Sequence, residues 1–183
     1  MIVRYAAIAI VIVAAPAWAT CYHDEDKFDG TTRHWCAAGG LGLGETLGLM
    51  SSDHAQPIPM ALIQADGSAS YAVKVIWKDQ DWLFMEPGAK LVFLLADGSR
   101  IEAVTPSGSS IRKDINAVPG VGVFVREEAV FLLPDIDTMR RIAETDHAEF
   151  AVYGAKGRVE GSLDKDALKH YRALLAVIPL SKP

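Results

Sequence analysis

Two of the five histidines, His23 and His34, fall inside the loop bounded by the two cysteines of the chain, Cys21 and Cys36. Pairing the cysteines and counting two residues inward from each puts His23 across from His34, on facing arms of a hairpin that turns at Asp29-Gly30. Two imidazoles with Asp24 or Asp26 beside them suit zinc or copper, ions that favour imidazole nitrogen with carboxylate support. The candidate metal ligands are therefore His23, Asp24, Asp26 and His34. The competing reading of the same residues is a solvated, charged hairpin. A Cys21–Cys36 bridge would hold that hairpin down, contributing about 3 kcal/mol by restricting the unfolded chain.

Other patterns with chemical content fall short. Ser-x-x-Lys occurs at Ser110 to Lys113 and at Ser162 to Lys165, but the Ser-Asp-Asn and Lys-Thr-Gly motifs that accompany it in β-lactamases are absent. The sequence has no Gly-x-Ser-x-Gly elbow, no Cys-x-x-Cys, no His-Glu-x-x-His and no EF-hand loop. Glu127 and Glu128 are neighbours, so on a strand they point to opposite faces and cannot work as an acid–base pair. Trp77 and Trp82 flank a polar turn, either as core residues or as an exposed platform for a partner. No pattern identifies a reaction or a family, and no catalytic residue or organic cofactor is assigned.

The compartment is read from the first residues. Arg4, the apolar run from Tyr5 to Ala15 and the small-residue site Ala17-Trp18-Ala19 predict a signal peptide over 1–19, cleaved near Ala19. The run is too short for a membrane span of about 20 residues, so no transmembrane segment is expected in the mature chain. A periplasmic or secreted location follows, and with it an oxidising environment for Cys21 and Cys36. Lipid attachment at Cys21 is the rival reading; it is disfavoured by Trp18 and Thr20 ahead of the cysteine and by the unpaired Cys36 it would leave. Lys and Arg number 18 against 23 Asp and Glu, and the leader removes only Arg4. An acidic chain without a basic block argues against nucleic acid and anionic lipid as partners.

The elements that position these residues read as mostly β. Residues 20–50 form the disulfide hairpin and a Gly/Leu-rich connector, and 51–183 form a β-rich domain. From Ile58 the apolar period is two, with Tyr71, Val73, Val75 and Trp77 on one strand face and further strands at Trp82–Met85, Leu91–Leu95 and Arg100–Val104. Ala-Asp-Gly-Ser at 65–68 and again at 96–99 marks two hairpin turns of the same chemistry. Thr105 to Gly122 reads as a turn-rich connector, and Val123 to Leu133 as a long strand with Glu127-Glu128 at a bulge or polar edge. A short helix follows, capped by Asp135 or Asp137. A hairpin then turns at Gly154 to Gly157. The last element is an amphipathic helix capped by Asp164, with Leu168, Tyr171, Leu175 and Ile178 in one stripe, ended by Pro179.

The predicted fold is mainly β: an antiparallel β-sandwich or partly open barrel with a short helix and a C-terminal amphipathic helix. The expected function is that of an exported, non-catalytic binding or accessory protein acting through protein–protein or small-ligand contact. The alternative is a periplasmic metal-binding protein that uses the His23/His34 hairpin for zinc or copper.

Overall fold

Period-two alternation explains the largest part of the molecule, because it gives each strand one apolar face to bury. The computed structural model describes residues 20–37, 55–107, 111–118 and 122–178. The expected signal peptide over 1–19, the Gly/Leu-rich residues 38–50 and Ser110 lie outside the described residues. Among these residues ten strands form: β1 (Thr20–Glu25), β2 (Thr32–Ala37), β3 (Ala55–Ile63), β4 (Ala69–Asp79), β5 (Lys90–Leu95), β6 (Arg100–Val104), β7 (Arg112–Val118), β8 (Gly122–Leu132), β9 (Ala148–Gly154) and β10 (Gly157–Leu163). Two helices accompany them, α1 (Ile136–Glu144) and α2 (Lys165–Val177).

The strands make one antiparallel sheet in the order β1-β2-β3-β4-β8-β6-β5-β9-β10, with β7 also paired to β8. β8 is the hinge of this arrangement. One edge pairs with β4 from Val125 to Leu132, while the other is shared by β7 along Gly122 to Glu128 and by β6 at Val104↔Leu132. The sheet curls until β10 approaches β3, and α2 fills the concave side against β1, β2, β3 and α1. The architecture is therefore mainly antiparallel β, curled but not closed, as the strand pattern predicts.

Tyr71, Val73, Val75 and Trp77 bury on the concave side with Leu91, Phe93, Ala129, Phe131, Phe150 and Val152. Asp135, rather than Asp137, caps α1, its carboxylate accepting from the Thr138 amide at 2.7 Å. Asp164 caps α2 through the amides of Asp166 and Ala167. The stripe of α2 that reaches the core is Leu168, Tyr171, Leu174 and Ile178, with Leu175 only partly buried at its flank. Arg172 joins the two helices by donating from Nε to the Ala143 carbonyl at 2.7 Å, at the C-terminal end of α1 where a cation is favoured.

The two Ala-Asp-Gly-Ser turns are copies in their hydrogen bonding. Asp66 and Asp97 each accept from the amide two residues on, Ser68 and Ser99, at 2.8 Å. Gly67 and Gly98 take φ of 81° and 80°, the left-handed region open to glycine.

Two expectations are corrected. Arg112–Val118 is a strand, not a connector, because it finds its partner in the first half of β8. Residues 82–86 are not a strand: they form an irregular segment between β4 and β5.

Candidate functional site

Three places carry polar or apolar groups arranged beyond the needs of the core. The first is the β1–β2 hairpin. Its register sets Cys21 opposite Cys36 and His23 opposite His34, and the cysteines are joined by a disulfide. The imidazole centroids lie 6.0 Å apart with planes inclined by 27°. Burial holds the His34 imidazole below the usual histidine pKa, and the neighbouring His23 charge adds to this. The carboxylates of the predicted metal set go elsewhere. Asp24 alternates to the opposite strand face, beside Tyr22, where Arg33 pairs with it at 3.4 Å. Arg33 also reaches Asp26 at 3.6 Å. The structure thus brings together His23 and His34 and sets Asp24 and Asp26 around Arg33. Among the described residues no group of three or more His, Cys, Asp and Glu is placed to hold a metal ion.

The second place was not foreseen. Glu127, in the middle of β8, is fully buried and accepts two backbone amides, from Phe84 at 2.9 Å and from Met85 at 3.1 Å. Phe84 has φ 57°, a left-handed conformation that is rare for a bulky side chain. The segment is tied on its other side to the β9–β10 turn, where Ala155 and Lys156 donate to the carbonyls of Phe84 and Leu83. Gly154 permits that approach, since a Cβ there would overlap the Leu83 carbonyl. Over the Phe84 ring stand Lys113 at 4.8 Å, which also donates to Glu86 at 2.7 Å, and Lys156 at 5.5 Å. The sequence signal was the charged run Arg126-Glu127-Glu128 inside a strand that is apolar on either side. Glu127 and Glu128 do point to opposite faces, and Glu128 pairs with Arg126 at 2.6 Å on the other side.

The third place is the outer, convex face of β6, β5, β9 and β10. Register aligns Arg100, Leu94, Glu149 and Ser162 in one row and Glu102, Val92, Ala151 and Glu160 in the next. Val104, Lys90, Tyr153 and Arg158 form a third row, and Val104 continues to Leu132 on β8. Across these rows runs a shallow groove of about 670 Å³ lined by Leu94 at one end, Val92 and Ala151 between, and Tyr153 at the other end. Leu94, Val104, Leu132 and Tyr153 are 46%, 43%, 37% and 37% exposed. The flanks are ion pairs of both signs: Lys90–Glu102 at 2.9 Å, Arg100–Glu102 at 3.1 Å and Arg158–Glu160 at 2.9 Å. The Lys90 hydrogen bond is the main reason the Glu102 carboxyl sits below its usual pKa.

The tryptophans divide. Trp77 is buried and donates from its indole to the Asp81 carbonyl at 2.9 Å, while Trp82 is half-buried with its ring centroid 6.3 Å from that of Phe84. Among the described residues no helix is long and apolar enough to cross a membrane. The disulfide fits an oxidising compartment. No family model matches the chain, and neither the curated proteins nor the solved structures contain a significant match to it.

Proposed function

We propose that this is an exported, non-catalytic binding or accessory protein that holds a polypeptide partner on the outer face of β6, β5, β9 and β10. The observation that carries the reading is the exposure of Leu94, Val104, Leu132 and Tyr153 on one face of the adjoining strands β5, β6, β8 and β9, beside a groove of about 670 Å³ that Leu94 and Tyr153 line. Single exposed apolar residues are ordinary on a protein surface, whereas several in one patch with a charged rim mark an interaction surface. The groove is open rather than enclosed and its flanks carry both charge signs, which favours an apolar-centred polypeptide segment over a small ion. Export rests on the leader-like residues 1–19 and on the Cys21–Cys36 bridge.

The test is native mass spectrometry of the protein isolated from its own compartment, compared with the Leu94→Glu/Tyr153→Glu double variant. Both side chains face solvent, so the sheet tolerates the change. The wild-type chain is expected to carry a polypeptide of defined mass, and the variant to be bare. A bare wild-type chain, or a variant that keeps the partner, would overturn the reading.

A further inference from the structure

We infer that His23 and His34 form a two-imidazole site for divalent copper on the disulfide-clamped hairpin. This inference is independent of the polypeptide-binding reading, since it concerns the opposite end of the sheet order.

His23 and His34 are direct cross-strand partners, so their side chains leave the same face of the hairpin. Two imidazole nitrogens bound to one ion at about 2.0–2.1 Å bring their ring centroids to within roughly 4.5–5.5 Å. The observed separation is 6.0 Å, so side-chain rotation closes the gap without moving the backbone.

The backbone beneath the pair is fixed at both ends. Two residues toward the open end stands the Cys21–Cys36 disulfide. Toward the turn, the Asp26 amide donates to the Thr31 carbonyl and the Gly30 amide to the Asp26 carbonyl, both at 2.8 Å. β2 is held in turn by β3, with His34 opposite Ala61. A chelate whose arms are already in place loses little entropy on binding.

The donor set selects the ion. Both thiols are consumed by the disulfide, which removes the soft ligands favoured by monovalent copper and by structural zinc. Arg33 engages Asp24 and Asp26 at the other face, and among the described residues no carboxylate, Glu25 on the same strand face included, joins the two imidazoles in a group placed to hold a metal ion, so the hard donors that magnesium or calcium need are lacking. Two neutral nitrogens with water in the remaining positions bind divalent copper ahead of nickel, cobalt or zinc.

The experiment titrates the oxidised, exported protein with copper(II), following electron paramagnetic resonance and the broadening of histidine proton resonances. One ion per chain is expected, with a nitrogen-coordinated signal and selective broadening of His23 and His34. His23→Phe and His34→Phe, which keep a ring but remove the nitrogens, are each expected to weaken binding at least tenfold. Asp24→Asn and Asp26→Asn are expected to leave it unchanged. Circular dichroism establishes that each variant is folded, and His23→Ala, at an exposed position, serves if His34→Phe does not fold. The inference is overturned by an absence of stoichiometric copper or by affinity indifferent to His23 and His34. Broadening that begins instead at His54, His147 or His170 overturns it as well.

Discussion

Replacing Glu127 by alanine should loosen the Phe84 segment and lower the stability of the whole chain by about 3 kcal/mol. The carboxylate is fully buried and serves the Phe84 and Met85 amides at 2.9 and 3.1 Å. Without it, two buried N–H groups lose their acceptor at about 2 kcal/mol each. About 1 kcal/mol is returned, because a released Phe84 can leave the left-handed conformation it now holds at φ 57°. For a chain of this size a net loss of about 3 kcal/mol lowers Tm by roughly 6–12 °C. Glu127→Gln keeps one acceptor but turns a donor toward the second amide, so its loss should be about half as large. Thermal and urea unfolding measure the global effect, and amide hydrogen exchange at Phe84 and Met85 measures the local one. A Glu127→Ala variant within 2 °C of wild type, or with unchanged exchange at those two amides, would refute the assignment of Glu127 as the anchor.

Other substitutions and conditions test the packing around it. Gly154→Ala should destabilise by about 1–3 kcal/mol in urea unfolding, because its Cβ would overlap the Leu83 carbonyl and force the segment off the β9–β10 turn. Tyr171→Phe should stabilise by about 1 kcal/mol in the same assay. The Tyr171 ring is fully buried, burial pushes its phenol pKa up, and its hydroxyl has no hydrogen-bond partner among the described residues. Stability should fall with acid in two stages, read as Tm between pH 8 and pH 3. Burial holds His34 and His170 below the usual 6.5, so the unfolded chain takes up protons that the folded protein resists, and stability declines as pH falls below that value. Hydrogen bonds hold Asp29, Asp66, Asp97 and Asp135 below the usual 3.8, so a second decline begins below about pH 4 as the unfolded chain is protonated first. A Tm that does not change between pH 8 and pH 5 would contradict the first stage.

Local chemistry was legible in the sequence; long-range capture was not. The His23↔His34 and Cys21↔Cys36 register follows from counting along a hairpin, because period two leaves one solution once the cysteines pair. The repeated Ala-Asp-Gly-Ser turns and the Asp164 cap are equally local, each an aspartate accepting amides two or three residues on. By contrast, β7 was hidden by the prolines and glycines around it and by the polar run Arg112-Lys113-Asp114, and only β8 makes it a strand. Trp82 to Met85 has the apolar composition of a strand, yet the Glu127 carboxylate, more than 40 residues away, takes the amides a strand neighbour would need. The outer groove was masked in the same way. Leu91 to Leu95 is apolar throughout, so its composition does not mark which face meets solvent; in the sheet Leu91, Phe93 and Leu95 turn inward and Leu94 is left exposed.

The most direct test of the proposed polypeptide binding is site-specific photo-crosslinking in the native cell, with the reactive group placed at position 94, 153, 66 or 169. Positions 94 and 153 lie in the groove; 66 lies at a turn and 169 on the outside of α2. One polypeptide adduct of defined mass is expected from 94 and 153, and none from 66 or 169. An absence of adducts at the groove positions, or equal labelling at all four, would contradict it.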